Sequence, residues 1–295
     1  MGFAGRLWDA IAAKKSPAMV GLDPRPDHFP EPFRSAAQAG PVEAAEAMVD
    51  YHRELLDVLA KKIAVVKPQT AFFEQFGPAG FRALSDAVDS AKERGLLVVM
   101  DAKRGDIGST SAAYAQAFLG GGAYGAFPAA DALTVNPYLG KDACQPFLEM
   151  AKKQDAGLFF LVKTSNPGAG LFQDHGQPPL ADVIAAAVHE WGKETVDESG
   201  WSSLGAVVGA TRPEELAHFR ALMPQTPLLL PGFGHQGGTA DGLSPAFHDG
   251  KGAIVNSSRA VLWAHERDDL AHLPDWQARV DCALDEMIAA LGPLV

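Results

Sequence analysis

The stretch "LLVVMDAKRGDIGST" (residues 96–110) joins an apolar run to two acids and two bases packed within six positions, Asp101 to Asp106. Its first part, "LLVVMD" (96–101), is nearly continuously apolar. That is the pattern of a parallel strand covered on both faces. Seven other runs read the same way: "AMVGLD" (18–23), "IAVVKP" (63–68), "ALTVN" (132–136), "GLFFLVKT" (157–164), "LGAVVGA" (204–210), "PLLLPG" (227–232) and "GAIVNS" (252–257). Helical patterns lie between them, among them 41–62, 78–95 and 212–224, with apolar spacing near 3.6 and good helix formers. Eight strands alternating with helices predict an α/β fold, a closed (β/α)8 TIM barrel forming one domain over residues 1–295. An open doubly wound sheet is the competing arrangement, but no G-x-G-x-x-G follows the first strand.

In such barrels the C-terminal ends of the strands carry the chemistry. Here those ends hold Asp23, then Lys67, then Asp101 with Lys103 and Asp106. Strand five ends in "VKTSNPG", strand seven in "PGFGHQGG" (231–238) and strand eight in "NSSRA" (256–260). Glycines in the seventh connection let backbone N–H groups approach an anion, and Arg259 follows one strand later. Loops after strands seven and eight form the phosphate site of many barrels, so these two segments predict phosphate binding. The connection "NPGAGLFQDHGQPPL" (166–180) is Gly- and Pro-rich and long enough for a mobile lid.

Composition narrows the classes of function. Lys and Arg number 25 against 36 Asp and Glu, a net charge of −11 with a pI near 5.2, which argues against nucleic acid or an anionic membrane as partner. The first residues look amphipathic but lack a secretory pattern, and no run approaches the ~18 apolar residues of a membrane span. Cys144 and Cys282 match no metal or redox spacing, which fits a reducing, cytoplasmic setting. The histidines show no ligand spacing either, and no metal site is expected. A nucleophile elbow is also missing.

"DAKRGDIGST" (101–110) resembles the D-x-K-x-x-D-I-x-x-T signature of the orotidine 5′-monophosphate decarboxylase family. The likeness extends in order through "GLDP" (21–24), "VKPQTAFFE" (66–74), "TSNPG" (164–168), "PGFGHQGG" and "NSSRA", and is nearest the longer-chain bacterial branch. The resemblance implies conversion of orotidine 5′-monophosphate to UMP and CO2, the last step of UMP synthesis. It implies no cofactor and a homodimer with shared sites. Asp23 and Lys67 would hold the ribose, and Lys67 would also bond the neighbouring carboxylate. Asp101 and Lys103 would face the reacting carbon. Asp106 and Thr110 would reach the substrate of the other subunit, Ser165 the pyrimidine, and Gln236 and Arg259 the phosphate. Some relatives carry Gly where this chain has Ser258, which bears on the backbone donors to phosphate.

Loss of CO2 from C6 leaves an electron pair in the plane of the ring, beyond direct reach of its π system. Without a flavin, pyridoxal or thiamine motif, the protein must stabilise that charge electrostatically. Lys103 suits this task and can then supply the proton that replaces CO2. Its acidic neighbours, Asp101 and Asp106, favour its charged form. Two other readings compete: a phosphosugar decarboxylase or aldolase-type barrel using a divalent metal, and a non-catalytic barrel that binds UMP-like nucleotides. A purely structural ion-pair lattice of Lys67, Asp101, Lys103 and Asp106 is the bland alternative.

Overall fold

The structure is a computed structural model that describes residues 2–209, 212–233 and 240–295. Its eight strands are β1 (Ala18–Leu22), β2 (Val65–Pro68), β3 (Leu97–Arg104), β4 (Ala132–Val135), β5 (Gly157–Lys163), β6 (Leu204–Val208), β7 (Leu228–Leu230) and β8 (Ala253–Ser257). All pair in parallel and in chain order, and β8 returns to β1, closing the barrel. Each expected strand is present. β7 is the shortest because Pro227 and Pro231, which have no N–H to give to the ladder, bracket it. β3 instead outruns its apolar stretch to Arg104, through an irregularity in its pairing with β4 between Met100 and Arg104.

The helices between strands bury the expected stripes. Helix Pro41–Leu59 opens on a proline, whose missing N–H costs nothing there, and buries Ala44, Met48, Tyr51, Leu55 and Leu59. Helix Gly77–Glu93 packs beside it and buries Ala83, Leu84, Ala87, Val88 and Ala91. These outward-facing contacts form one core layer between sheet and helices.

A second core fills the barrel itself. Met19, Val65, Val99, Ala132, Phe159, Val207, Leu229 and Ile254, one from each strand, gather with Phe3, Leu7, Trp8 and Ile11 of α1 (Phe3–Lys14). The amphipathic start of the chain therefore plugs the N-terminal end of the barrel. Phe3 meets Phe159 edge-on at 6.2 Å, and Trp8 meets Trp201 at 5.4 Å. Gly157 makes room for this: a Cβ there would come within 2.4 Å of the Phe3 ring. With that end sealed by apolar packing, only the C-terminal end is left for polar chemistry.

Side chains two residues further along each strand point to the same face. One step above the apolar layer, that rule places Lys67, Asp101, Thr134 and Asn256 inside the barrel. No helix among the described residues is long and apolar enough to cross a membrane.

Candidate active site

Asp101 is the centre of the polar end. Its Oδ2 accepts from Lys67 Nζ at 2.7 Å and from Gln69 Nε2 at 2.9 Å, while Oδ1 accepts from Lys103 Nζ at 2.6 Å and from Thr134 Oγ1 at 2.9 Å. Three strands thus converge on one carboxylate. Thr134 also takes the Lys103 backbone N–H at 2.9 Å, which ties β4 to the tip of β3.

Burial and charge divide the two lysines. The Lys67 side chain is 7% exposed and that of Lys103 42%, so Lys67 is sealed within the barrel and Lys103 faces the mouth. Burial pulls the Lys67 ammonium toward neutrality, but the charges of Asp101 and Asp23 outweigh it and the pKa rises. For Asp101 burial acts upward, yet Lys67 and then Lys103 overcome it and hold the carboxyl at about 2. At neutral pH the site therefore contains a fixed anion between two cations.

Lys103 has a backbone φ of +47°, in the left-handed region that non-glycine residues rarely enter. Such a conformation costs about 1 kcal/mol. It falls within the irregular part of β3, where the pairing with β4 breaks step, and there the ammonium meets Asp101. Strain of this kind persists when surrounding contacts over-determine it.

The other expected residues fall around the same rim. Asp23 follows β1, and its Oδ1 is buried with no hydrogen-bond partner. Ser165 lies two residues past β5, close enough to Gly209 beyond β6 that a Cβ there would come within 2.8 Å of its backbone nitrogen. Arg259 opens the short helix Arg259–Leu262 after β8, with its guanidinium carbon 5.6 Å from the centre of the Trp263 ring. Gln236 and the glycines around it lie outside the described residues. The N–H groups of Gly232 and Phe233, within the segment read as an anion cradle, are both committed to the Asn256 carbonyl at 3.1 Å. They pin β7 to β8.

Asp106 stands apart from the expected lattice. Its carboxylate accepts from the Ile107 N–H at 2.8 Å, and among the described contacts it makes none with Lys103. Thr110 is exposed in the first turn of helix Gly108–Phe118. The expected lid carries a short helix, Gly170–Gln173, tethered to the tip of β5. Asp174 pairs with Lys163, and Gln173 exchanges two hydrogen bonds with Thr164 at 2.8 and 2.9 Å.

Sequence reading overlooked Gln69 and Thr134. Gln69 follows Lys67 by two residues, so strand alternation could have placed it on the same face. Thr134 sits in an apolar run with no local sign of its role; only closure of β4 against β3 brings it to Asp101.

Comparison with known proteins agrees with this fold. The profile of the "Orotidine 5′-phosphate decarboxylase / HUMPS family" matches residues 19–271. An orotidine 5′-phosphate decarboxylase of Rhodopirellula baltica is 44% identical, with 97% of this chain and 98% of that one aligned. One from Deinococcus radiodurans is 42% identical over 90% and 91% of the two chains. The structure of Leishmania donovani OMP decarboxylase superposes with a TM-score of 0.76 at 31% identity, covering 100% of this chain and 98% of that one. With a matching barrel, an aspartate held between two lysines at its mouth, and full-length relatives of this kind, the chain belongs to the orotidine 5′-phosphate decarboxylase / HUMPS family.

Proposed function

We propose that the chain decarboxylates orotidine 5′-monophosphate to UMP, with Lys103 as the proton donor and Asp101 as the fixed anion beside it. The observation that carries this reading is the Lys67–Asp101–Lys103 triad. The charges of Lys67 and Lys103 hold the Asp101 carboxyl low, at about 2, so it faces the site as an anion. That negative charge favours departure of neutral CO2. The C6–carboxylate bond breaks, its electron pair stays on C6 opposite the Lys103 ammonium, and an Nζ–H proton is then delivered to that carbon. Gln69, Lys67 and Thr134 keep the carboxylate from rotating away, so the stabilising charges are in place before the reaction begins.

The remaining roles follow the rim. Asp23 and Lys67 bind the ribose, Ser165 the pyrimidine, and Arg259 with Gln236 the phosphate. Binding energy collected at the phosphate and ribose positions C6 against the triad. Asp106 and Thr110 serve the other bowl of a homodimer. Support comes from the Asp106 carboxylate, which is bonded to the Ile107 N–H rather than to its own triad among the described contacts, and from exposed Ile107, Tyr138 and Leu139 on the connections after β3 and β4. We read the whole chain as one catalytic domain, sealed below by α1, and place it in the cytoplasm, with Cys144 and Cys282 both free thiols.

The test is direct: incubate the purified protein with orotidylate and follow the loss of ultraviolet absorbance, with and without exhaustive chelation. Turnover unaffected by chelation is the expected result. Turnover abolished by chelation and restored by Mg²⁺ would favour the phosphosugar type of barrel. Binding of UMP without release of CO2 would leave a nucleotide-binding protein.

A further inference from the structure

Arg104 follows Lys103 directly, and its side chain is out of keeping with its surroundings. The guanidinium carbon lies 5.4 Å from the centre of the Tyr114 ring and 5.5 Å from that of Phe118, both on helix Gly108–Phe118. Phe118 belongs to the apolar layer between sheet and helices, and Tyr114 packs against it. Arg104 Nε is buried there with no hydrogen-bond partner. An apolar side chain would fill this place at less cost, since a buried donor left without an acceptor is unfavourable.

The guanidinium makes two bonds that an apolar side chain cannot. Nη1 donates to the Ala102 carbonyl at 2.9 Å, and Nη2 donates to Glu74, the last residue of the short helix Thr70–Glu74 that follows Gln69. The first bond spans Lys103: the side chain of the residue after it holds the carbonyl of the residue before it. Backbone contacts fix the same turn from the side of β4. The Lys103 N–H donates to Thr134 Oγ1 at 2.9 Å, and the Asn136 N–H donates to the Arg104 carbonyl at 2.9 Å. Gly105 lies so close to Asn136 that a Cβ would come within 2.8 Å of its carbonyl oxygen.

These contacts surround the one residue of β3 whose φ is positive, Lys103 at +47°. Relaxing that turn into the ordinary extended region would redirect the Lys103 Cβ and carry its ammonium off Asp101, 2.6 Å away. Of the bonds around the turn, the one from Arg104 to Ala102 bridges it from one side to the other. Only a planar fork can hold that carbonyl and a carboxylate together. Glu74 supplies the counter-charge and aims the fork.

We infer that Arg104 is a positioning residue: its guanidinium, oriented by Glu74, clamps the peptides on both sides of Lys103 and holds the ammonium where the proton is delivered. The inference rests on the decarboxylase reading above. Lys67, Gln69 and Glu74 follow one another in sequence, so the segment that fixes the Asp101 carboxylate also fixes the turn carrying its partner.

The experiment compares the unmodified protein with Arg104→Met, which keeps an apolar stem between Tyr114 and Phe118 but makes neither bond. Arg104→Lys, which keeps the charge beside Glu74 without the fork, serves should the methionine form fail to fold. Three quantities are measured: kcat for orotidylate, the affinity for UMP, and the rate at which acetic anhydride acetylates Lys103, read by peptide mass spectrometry. The expected result is a kcat lower by about tenfold or more, the scale of a slightly misplaced reacting group, with UMP affinity within about twofold. Lys103 should be acetylated faster in the variants, because its amine no longer rests on Asp101. An unchanged kcat, an unchanged acetylation rate, or a fall in kcat matched by an equal loss of UMP binding would overturn the inference and leave Arg104 a packing residue. If the unmodified protein does not turn over orotidylate, the decarboxylase reading fails, and the acetylation rates still decide whether Arg104 holds Lys103.

Discussion

Lys67 and Lys103 grip opposite oxygens of a single carboxylate, Lys67 at 2.7 Å from Asp101 Oδ2 and Lys103 at 2.6 Å from Oδ1. One cation is sealed in the barrel and the other is at its mouth. The pair has different duties for that reason: Lys67 keeps Asp101 ionised and in place, and Lys103 is accessible to a ligand.

Replacing Lys103 with alanine removes the proton donor while Lys67, Gln69 and Thr134 still hold Asp101. The variant is expected to fold, to bind UMP, and to lose nearly all turnover, because the missing interaction belongs to the transition state. Substantial residual activity in a steady-state assay would remove Lys103 from the proposed role.

Asp101→Asn should be far more damaging to the fold. It leaves the buried Lys67 ammonium facing a neutral amide, and breaking a buried pair from one side typically costs about 3–5 kcal/mol. Denaturant unfolding at neutral pH measures this. The pH dependence has a defined sign. The native carboxyl is held at about 2, below its ordinary value near 4, so its stabilisation is complete above about pH 4. It is lost as the pH falls from there through 2. The wild-type protein should lose stability across that window, and Asp101→Asn should lose correspondingly less. Identical acid slopes for the two proteins would refute the assignment.

Arg259 should distinguish the nucleotide from the nucleoside. Arg259→Ala is expected to reduce kcat/KM for orotidylate by the equivalent of ~2–3 kcal/mol, the scale of a charge-assisted arginine–phosphate contact. Turnover of phosphate-free orotidine should change little. Equal losses on both would mean that the guanidinium, set against Trp263, does not grip the phosphate.

Shared sites can be tested by mixing inactive subunits. In a dimer of one Lys103→Ala chain and one Asp106→Asn chain, one bowl carries both lesions and the other carries neither. Random exchange makes about half of the dimers mixed, so activity should return to roughly a quarter of wild type. If mass labelling confirms exchange and no activity appears, Asp106 acts within its own chain.

Much of this molecule is legible in its sequence. Continuous apolar runs between amphipathic stretches specify parallel strands and covering helices, because both patterns are local consequences of side-chain period. The charged residues at the strand ends, Asp23, Lys67, Asp101, Lys103 and Arg259, could be picked out for the same reason, since a closed barrel sends every strand end to one rim. The helical start was visible as an amphipathic pattern, but its role as a plug was not. Phe3 and Trp8 require a cavity made by all eight strands. The hydrogen bonds from Gln69 and Thr134 to Asp101, the left-handed turn at Lys103, and the departure of Asp106 from the lattice belong to tertiary structure alone. The bonds to Asp101 depend on the register between strands that are distant in sequence, and a hydrogen bond or a burial penalty exists only once that register has brought the groups within about 3 Å. Residue types and their periods determined the barrel and the ring of charge at its mouth; closure and register decided which of those charges meet.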